Sequence, residues 1–294
     1  MEQITKNVFA ETNTVGSDPA YVVTEEGVVL IDTPQLPSRA ISVKEEIAGK
    51  GQLKYIINTE HHPDHVFGNY FFHGEGTVIG QRRILERWCV PPGMDPWEKN
   101  KSETEKHDPE GLRFFPARDD YWEKANKPGI LFERYLKLEC GNHEFECYYT
   151  GGHSLAQICV HCPQERVLFT GDTIFNGVQI FFAEADPEDT LKALEFIAQF
   201  DVDAIVPGHG PVCDKRAIAE NTSFILDWLS ALYAGLARGW SKQTCMERIS
   251  FADRYPIDYG LSEVLHELQK WNVSKLYDYL TSNGEHRGYD IFPS

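Results

Sequence analysis

The stretch NTEHHPDHVFGN, residues 58–69, sets His61, His62, Asp64 and His65 within five positions. A solvated loop rarely concentrates three histidines and an aspartate so tightly, so the first question is what they hold. KYIIN (54–58) runs into the cluster and reads as a short buried strand; FGNYFF, just after it, begins a helical segment. Three other polar groups stand in the same place, each at the end of a short apolar strand. FECYYTGG leads to His153, RVLFTG to Asp172, and DAIVPG to His209. In layered α/β folds the loops at one end of the strands converge on one crevice. Residues spread over roughly 150 positions can therefore meet.

The donor types suit a divalent transition metal, because imidazole binds Zn, Fe, Ni and Cu and carboxylates supply the compensating charge. In E-x-H-x-D-H the alternating Glu60, His62 and Asp64 can face one way, with His65 at a neighbouring position. That is more donors than one tetrahedral ion needs. Two ions sharing a carboxylate account for the surplus, and Asp172 is the natural bridge. Glycines in Gly151-Gly152-His153, Gly171-Asp172 and Gly208-His209-Gly210 let the backbone turn sharply beside the cluster. An unmetallated polar core of this composition would bury several charges without compensation, which is expensive.

At these residues the chain resembles the metallo-β-lactamase-fold hydrolases. That family carries T-H-x-H-x-D-H after an early strand, then G-H-T/S, T-G-D and P-G-H-G. The same four stand here in order as TEHHPDH, GGHS, FTGDTIF and VPGHG, and the likeness covers about residues 8 to 215. It implies an α/β fold, a four-layer αββα sandwich with the metals at one edge between two central sheets. Carried over position by position, site one takes Glu60, His62 and His153, site two takes Asp64, His65 and His209, and Asp172 bridges. The cofactors implied are two divalent metal ions, zinc first, with iron or manganese as alternatives. The departure is Glu60, where the family has its first histidine. Glu60 either binds metal as an oxygen donor, or turns away and leaves one working ion, or marks a non-catalytic site.

The rest of the chain frames these motifs. YVVTEEGVVLIDT reads as two strands joined at Glu26-Gly27, and SRAISVKEEIAGKG as a helix with Ser38 as N-cap and Gly49 or Gly51 at its close. TVIG, LKLECG, HEFECYYTGG, QICVHC and RVLFTGD are further strands. PEDTLKALEFIAQF is a helix with Leu191, Leu194, Ile197 and Ala198 on one face. Residues 88–130 are rich in proline, charge and large aromatics without a sustained period, and suggest a lid or pocket wall. From Asp214 the pattern is helical, with Ile218, Ile225, Leu229, Leu232 and Leu236 in register, then Leu261, Leu265, Leu268 and Trp271. The expected organisation is a metallo-β-lactamase-like domain over 1–213, containing the 88–130 insertion, and a C-terminal helical appendage over 214–294.

Composition narrows the function classes. The 294 residues are 41% hydrophobic and 25% charged, ordinary for a globular protein. A formal charge of -17 disfavours nucleic acid as a partner. The longest apolar runs have strand length, so no membrane span is expected. No apolar core follows basic residues at the N-terminus, and seven scattered cysteines read as reduced thiols, so a cytoplasmic location is expected. Cys159-x-x-Cys162 falls in a strand, where side chains three apart face opposite ways. His73, His107, His143, His161, His266 and His286 belong to no cluster and are treated as ordinary surface or core histidines.

The expected activity is hydrolysis of a small-molecule ester, thioester, lactone or amide by hydroxide formed between two metals, with Asp64 orienting it and later carrying a proton. A glutathione thioesterase lacks an obvious basic cluster to hold its substrate, and a secreted β-lactamase lacks an export signal. A second class is a non-haem iron oxygenase of the persulfide dioxygenase type, with His62, His153 and Asp172 on one iron. A third is a metal-bound, non-catalytic binding protein. The apolar helical tail can cover the core or the same surface of a second copy of the chain, as a homo-oligomer.

Overall fold

The computed structural model describes residues 1–12, 14–88, 95–182, 184–252 and 265–282. The polypeptide opens with β1 (Glu2–Gln3), β2 (Val8–Ala10), β3 (Ala20–Thr24) and β4 (Gly27–Ile31), followed by α1 (Pro37–Ala48), β5 (Leu53–Ile57) and the single turn α2 (Pro63–Val66). After β6 (Thr77–Gln81) come α3 (Pro96–His107), α4 (Arg118–Glu123) and β7 (Ile130–Phe132). These seven strands form one sheet in sequential order, antiparallel through β4 and parallel from β4 to β7. The second sheet has the order β12-β11-β10-β9-β8, built from β8 (Tyr135–Cys140), β9 (His143–Tyr149), β10 (Ile158–Cys162), β11 (Val167–Phe175) and β12 (Ala204–His209). Its helix α5 (Pro187–Ile197) links β11 to the parallel β12. The chain then continues into α6 (Arg216–Ala237), α7 (Lys242–Arg248) and α8 (Leu265–Thr281).

Period-two alternation sorts the strand side chains into layers. In β4, Val29 and Ile31 point into a core between the sheets with Ile57, Ile79, Phe145, Val160, Phe169 and Val206. Val28 and Leu30 face the other way, onto Ala40, Val43 and Ile47 of α1 and onto Phe67 and Tyr121. In β10, Val160 and Cys162 join the inter-sheet core, whereas Cys159 joins the outer layer with Leu194 of α5, Ile225 and Trp228 of α6 and Leu276 of α8. The layers are therefore helix, sheet, sheet, helix. Two buried faces explain why GVVLI is a continuous apolar run rather than an alternating one. The Cys159–Cys162 pair is split between two layers, as strand geometry requires.

Several local expectations are corrected. Ser38 lies inside α1, whose N-cap is Leu36 without a side-chain cap; Pro37 starts the helix, as proline's fixed φ and missing N–H favour. FGNYFF is helical as expected, in 3-10 form. Within 88–130, the residues from Asp95 onward are largely helical. Asp95 caps α3 by accepting from the N–H groups of Trp97 and Glu98. Their aromatic residues Trp97, Phe114, Phe115 and Trp122 pack on the core around Phe67 and Tyr121. Trp271 keeps helical spacing with Leu268 but is exposed, while Leu268 is buried. Leu261, Cys89, His286 and the side chains of Leu265 and His266 lie outside the described residues. Among the described residues no helix is long and apolar enough to cross a membrane.

Candidate metal centre

The four polar motifs meet at one edge of the two sheets. β5 ends at Ile57, and the next eight residues carry Glu60, His62, Asp64 and His65 across the strand ends. A buried network sets their path. Thr33 N–H and Oγ1 both donate to the His65 carbonyl (3.1 Å each), and Asn58 and Asn69 exchange side-chain bonds of 3.2 and 2.8 Å. Ser17 Oγ donates to the Asp64 carbonyl at 2.7 Å. Asp172 and His209 lie within strands, Asp172 inside the nine-residue β11 and His209 at the last position of β12, not in loops beyond them. Their closeness depends on glycine. A Cβ on Gly208 would stand 1.9 Å from Asp172 Oδ1, and one on Gly171, whose φ is +48°, would stand 2.5 Å from Thr59 Oγ1.

Two donor groups hold the motif residues: Glu60, His62, His153 and Asp172 each offer an atom within 4.8 Å of the others, and so do Asp64, His65 and His209; among the described residues a third such group, His61, His62 and Glu184, adjoins them. Asp172 reaches both groups: Oδ2 is 3.3 Å from Nε2 of His153 and of His209, and Oδ1 is 3.2 Å from His65 Nε2. Glu60 points inward, with Oε2 2.6 Å from His62 Nδ1 and Oε1 3.3 Å from His65 Nε2 and 3.5 Å from His153 Nε2. The alternative in which its carboxylate turns away does not hold.

Apart from the 2.6 Å between Glu60 Oε2 and His62 Nδ1, an ion-pair length, these separations match donors arranged around a cation. Four donors ~2.0–2.1 Å from one tetrahedral ion stand ~3.3–3.4 Å from each other. His62 Nδ1 to His153 Nε2 is 3.3 Å, and Asp64 Oδ2 to His209 Nε2 is 3.4 Å. Both Glu60 oxygens, His65 Nε2 and Asp172 Oδ1 are buried without a hydrogen-bond partner. Such atoms are costly to bury unless something else satisfies them. The residues present therefore fit a divalent metal centre.

Protonation energetics agree with that fit. Burial pushes the Glu60 carboxyl up to about 7, against the pull of His153 and His65. Burial also opposes charge on His65 and His209, but the surrounding carboxylates, Asp172 foremost, raise His65 well above an ordinary histidine and His209 to about 10. Asp64 and Asp172 are held below the usual carboxylate range despite their burial, Asp64 by His65 and His209, Asp172 by His209, His65 and His153. Protons on histidine here balance carboxylate charge that metal ions would otherwise balance.

Four residues near this centre were given no role from sequence, although His61 was noted in the cluster. Asp32, just after β4, accepts Thr59 N–H at 2.7 Å, Thr59 Oγ1 at 2.6 Å and His65 Nδ1 at 2.9 Å. Its φ of +53° is tolerable because Asp and Asn visit this region more readily than other side chains. The available signal was its position: LIDT is another polar group following an apolar strand. Asp18 is buried, and its carboxyl is pushed up to about 8 by that burial, with His209 pulling it down. His61 is fully buried beside His62, and its Nε2 lies 3.3 Å from Glu184 Oε2. Glu184 also meets Arg87 at 3.1 Å. Of the histidines outside the cluster, His143 and His161 pair with Glu165 and Glu146, and His107 lies 3.5 Å from Glu103.

A two-sheet sandwich with these donors along one edge defines a metallohydrolase architecture. Residues 13–209 match the Metallo-beta-lactamase superfamily, and the chain belongs to that family. It is 26% identical over 234 residues to the Metallo-beta-lactamase type 2 of Elizabethkingia meningoseptica, covering 76% of this chain and 80% of that protein. It is also 26% identical over 204 residues to the probable hydroxyacylglutathione hydrolase glo2 of Schizosaccharomyces pombe, over 66% of this chain and 64% of that one. Among solved structures, a metallo-beta-lactamase family protein from Thermus thermophilus shares the fold with a TM-score of 0.65 at 19% identity, covering 96% of this chain and 95% of that one. The chain is thus a metal-dependent hydrolase, with a His, Asp and Glu cluster suited to divalent metal.

Proposed function

We propose that this protein is a binuclear metallohydrolase that cleaves a small ester, thioester, lactone or amide. The observation that carries this reading is Asp172, whose two oxygens reach His153 on one side and His65 and His209 on the other. Glu60, His62 and His153 would hold one ion, Asp64, His65 and His209 the other, with Asp172 shared. When bound, two divalent ions, zinc in the first instance, would lower the pKa of water towards ~7 and polarise the carbonyl under attack.

The chain's own groups do the rest. Asp64 keeps 24% side-chain exposure while Glu60, His65 and His153 are sealed, so its carboxylate faces the open side of the centre. It would accept a hydrogen bond from the attacking water, fix its direction, and return the proton to the departing oxygen, sulfur or nitrogen as the C–X bond breaks. Asp32 holds the proton of His65 on Nδ1, which leaves Nε2 free to donate its lone pair inward. Glu60, with two oxygens facing inward, makes the first site more anionic than three histidines would.

The test is metal content per chain by mass spectrometry on protein purified without added metal or chelator, followed by ester, thioester, lactone and amide substrates. About two ions per chain with hydrolysis of one of these classes is the expected result. One iron per chain, with oxygen consumed in the presence of a thiol persulfide, would replace the reading by the oxygenase alternative on His62, His153 and Asp172.

A further inference from the structure

The C-terminal helices reach the metal centre through one segment, the chain between Phe175 and Asp186. Its first residue packs on the site. The Phe175 ring stacks on His209 with centroids 5.2 Å apart and tilts against His153 at 5.6 Å. Its far end carries Glu184, beside His61, His62 and Arg87. The segment thus runs along one side of the centre, from the His209 end to the His62 end.

Two buried asparagines hold it. Asn221 of α6 accepts the Phe175 N–H at 3.1 Å and donates to the Phe175 carbonyl at 3.0 Å. Asn272 of α8, fully buried, accepts the Phe182 N–H at 2.9 Å and donates to the Ile180 carbonyl at 2.7 Å. Among its described residues after Phe175, the end of β11, the segment has no regular strand or helix to satisfy its backbone, so the Asn272 side chain stands in for a ladder there. The exit is tied as well, since Asp186 N–H donates to the Gly152 carbonyl, next to His153, at 2.8 Å. Asn272 therefore grips the backbone at Phe182, just ahead of Glu184, from 90 positions further along the chain.

The charged pair stands beside the centre, with Glu184 Oε2 4.0 Å from His62 Nε2 and Glu184 Oε1 3.1 Å from Arg87 Nη1. Arg87 keeps 43% side-chain exposure, whereas Glu184 keeps 10%. Glu184 thereby neutralises a half-exposed guanidinium next to a donor of the centre. We propose that the Arg87–Glu184 pair sets the charge preference of the substrate mouth, and that Asn272 is the positioning residue that keeps Glu184 in it. This rests on the metallohydrolase reading for the word substrate, but not for the geometry.

The experiment uses the full-length, metal-loaded protein and two thiol probes of opposite charge, 3-mercaptopropionate and cysteamine, whose sulfur seeks the metal whether or not turnover occurs. Their dissociation constants are measured by isothermal titration for wild type, Glu184→Gln, Arg87→Gln and Asn272→Leu, with metal content recorded for each. One full charge exposed or removed several ångströms from the probe's charged end shifts the affinity ratio by roughly tenfold. Glu184→Gln should shift it towards mercaptopropionate, and Arg87→Gln towards cysteamine. Asn272→Leu should shift it in the Glu184→Gln direction by a smaller factor, and raise hydrogen–deuterium exchange in peptides spanning 176–186, with metal content unchanged. Equal ratios in Glu184→Gln and wild type would overturn the charge assignment. Unaltered exchange over 176–186 in Asn272→Leu would overturn the clamp. Wild type that binds both probes but hydrolyses no substrate class would fail the proposed function and leave this inference standing.

Discussion

Replacing Asp32 by Asn probes how strongly the metal centre depends on groups that never touch the metal. The swap is nearly isosteric, and Asn tolerates the +53° φ at this position, so backbone strain does not confuse the outcome. One Asp32 oxygen, Oδ2, accepts from both Thr59 Oγ1 and His65 Nδ1. With Oδ1 still accepting Thr59 N–H, the new amide NH2 faces those two groups instead. His65 Nδ1 must then accept, which moves its proton to Nε2, the atom that faces Glu60, Asp64 and Asp172. A protonated Nε2 cannot ligate. Losing an outer carboxylate of this kind typically costs ~10–100-fold in metal affinity. Hydrogen bonds to charged groups contribute ~1.5–3 kcal/mol each, and two are affected, one of which the Thr59 hydroxyl can recover by rotating. The expected stability loss is therefore about 2 kcal/mol, or roughly 3–4 °C in Tm, because ~2.1 cal/mol/K per residue gives the 294-residue chain an unfolding entropy of ~0.6 kcal/mol/K. The assay is a competition titration of the metal-free protein against a chromophoric chelator, with a thermal melt of the same sample. An Asp32→Asn protein that binds metal as tightly as wild type would falsify the tautomer argument.

Other expectations follow from the same geometry. His62→Ala and His209→Ala each remove one donor from opposite groups, so each should lose about one metal ion per chain by mass spectrometry and at least ~10²-fold in hydrolytic rate; a variant that keeps both puts that histidine outside the centre. Glu60→Gln removes an anionic donor whose oxygens make no hydrogen bond, so the ion nearest His62 and His153 should bind at least ~10-fold more weakly while the other is retained. Unchanged stoichiometry under chelator challenge would show that Glu60 is not a ligand. The metal-free protein should become less stable as pH rises from 7 to 9. Asp18 at about 8, His209 at about 10 and His65, raised well above an ordinary histidine, all hold protons in the native state that the unfolded chain has released. The groups with depressed values, Asp64, Asp172, Glu184, His61, His62 and His153, have finished their contribution by about pH 7. The loss should be on the order of 5 °C in Tm, and it should shrink on loading metal, because the ligands are then deprotonated at both ends of the window. A flat profile without metal would contradict the proton-held network.

What the amino-acid sequence by itself determined were the features with a local cause. The ligand-type residues Glu60, His62, Asp64 and His65 fall within six positions, and His153, Asp172 and His209 each stand beside a glycine at the end of an apolar run, so motif spacing was enough to put them forward as candidates. The apolar run GVVLI likewise had strand length, and the spacing of Cys159 and Cys162 put their side chains on opposite faces, because a side chain's face in a strand depends only on its position. Tertiary structure alone decided which distant residues serve that loop. Asp32 meets His65 because β4 and β5 are parallel neighbours, which brings their C-terminal ends to the same edge. Asn272 meets Phe182 because α8 packs on the outer face of the second sheet, and Glu184 meets His61 at 3.3 Å although the two stand more than a hundred positions apart. None of these has a spacing to read: a hydrogen bond between residues tens of positions apart is set by strand order and layer packing, which the pattern of apolar residues constrains only as a whole. The 88–130 stretch shows the converse. Its lack of periodicity was real, yet Asp95 at a helix start and large aromatics reaching Phe67 and Tyr121 were sufficient to order its described part, from Asp95 onward, largely as helices on the core.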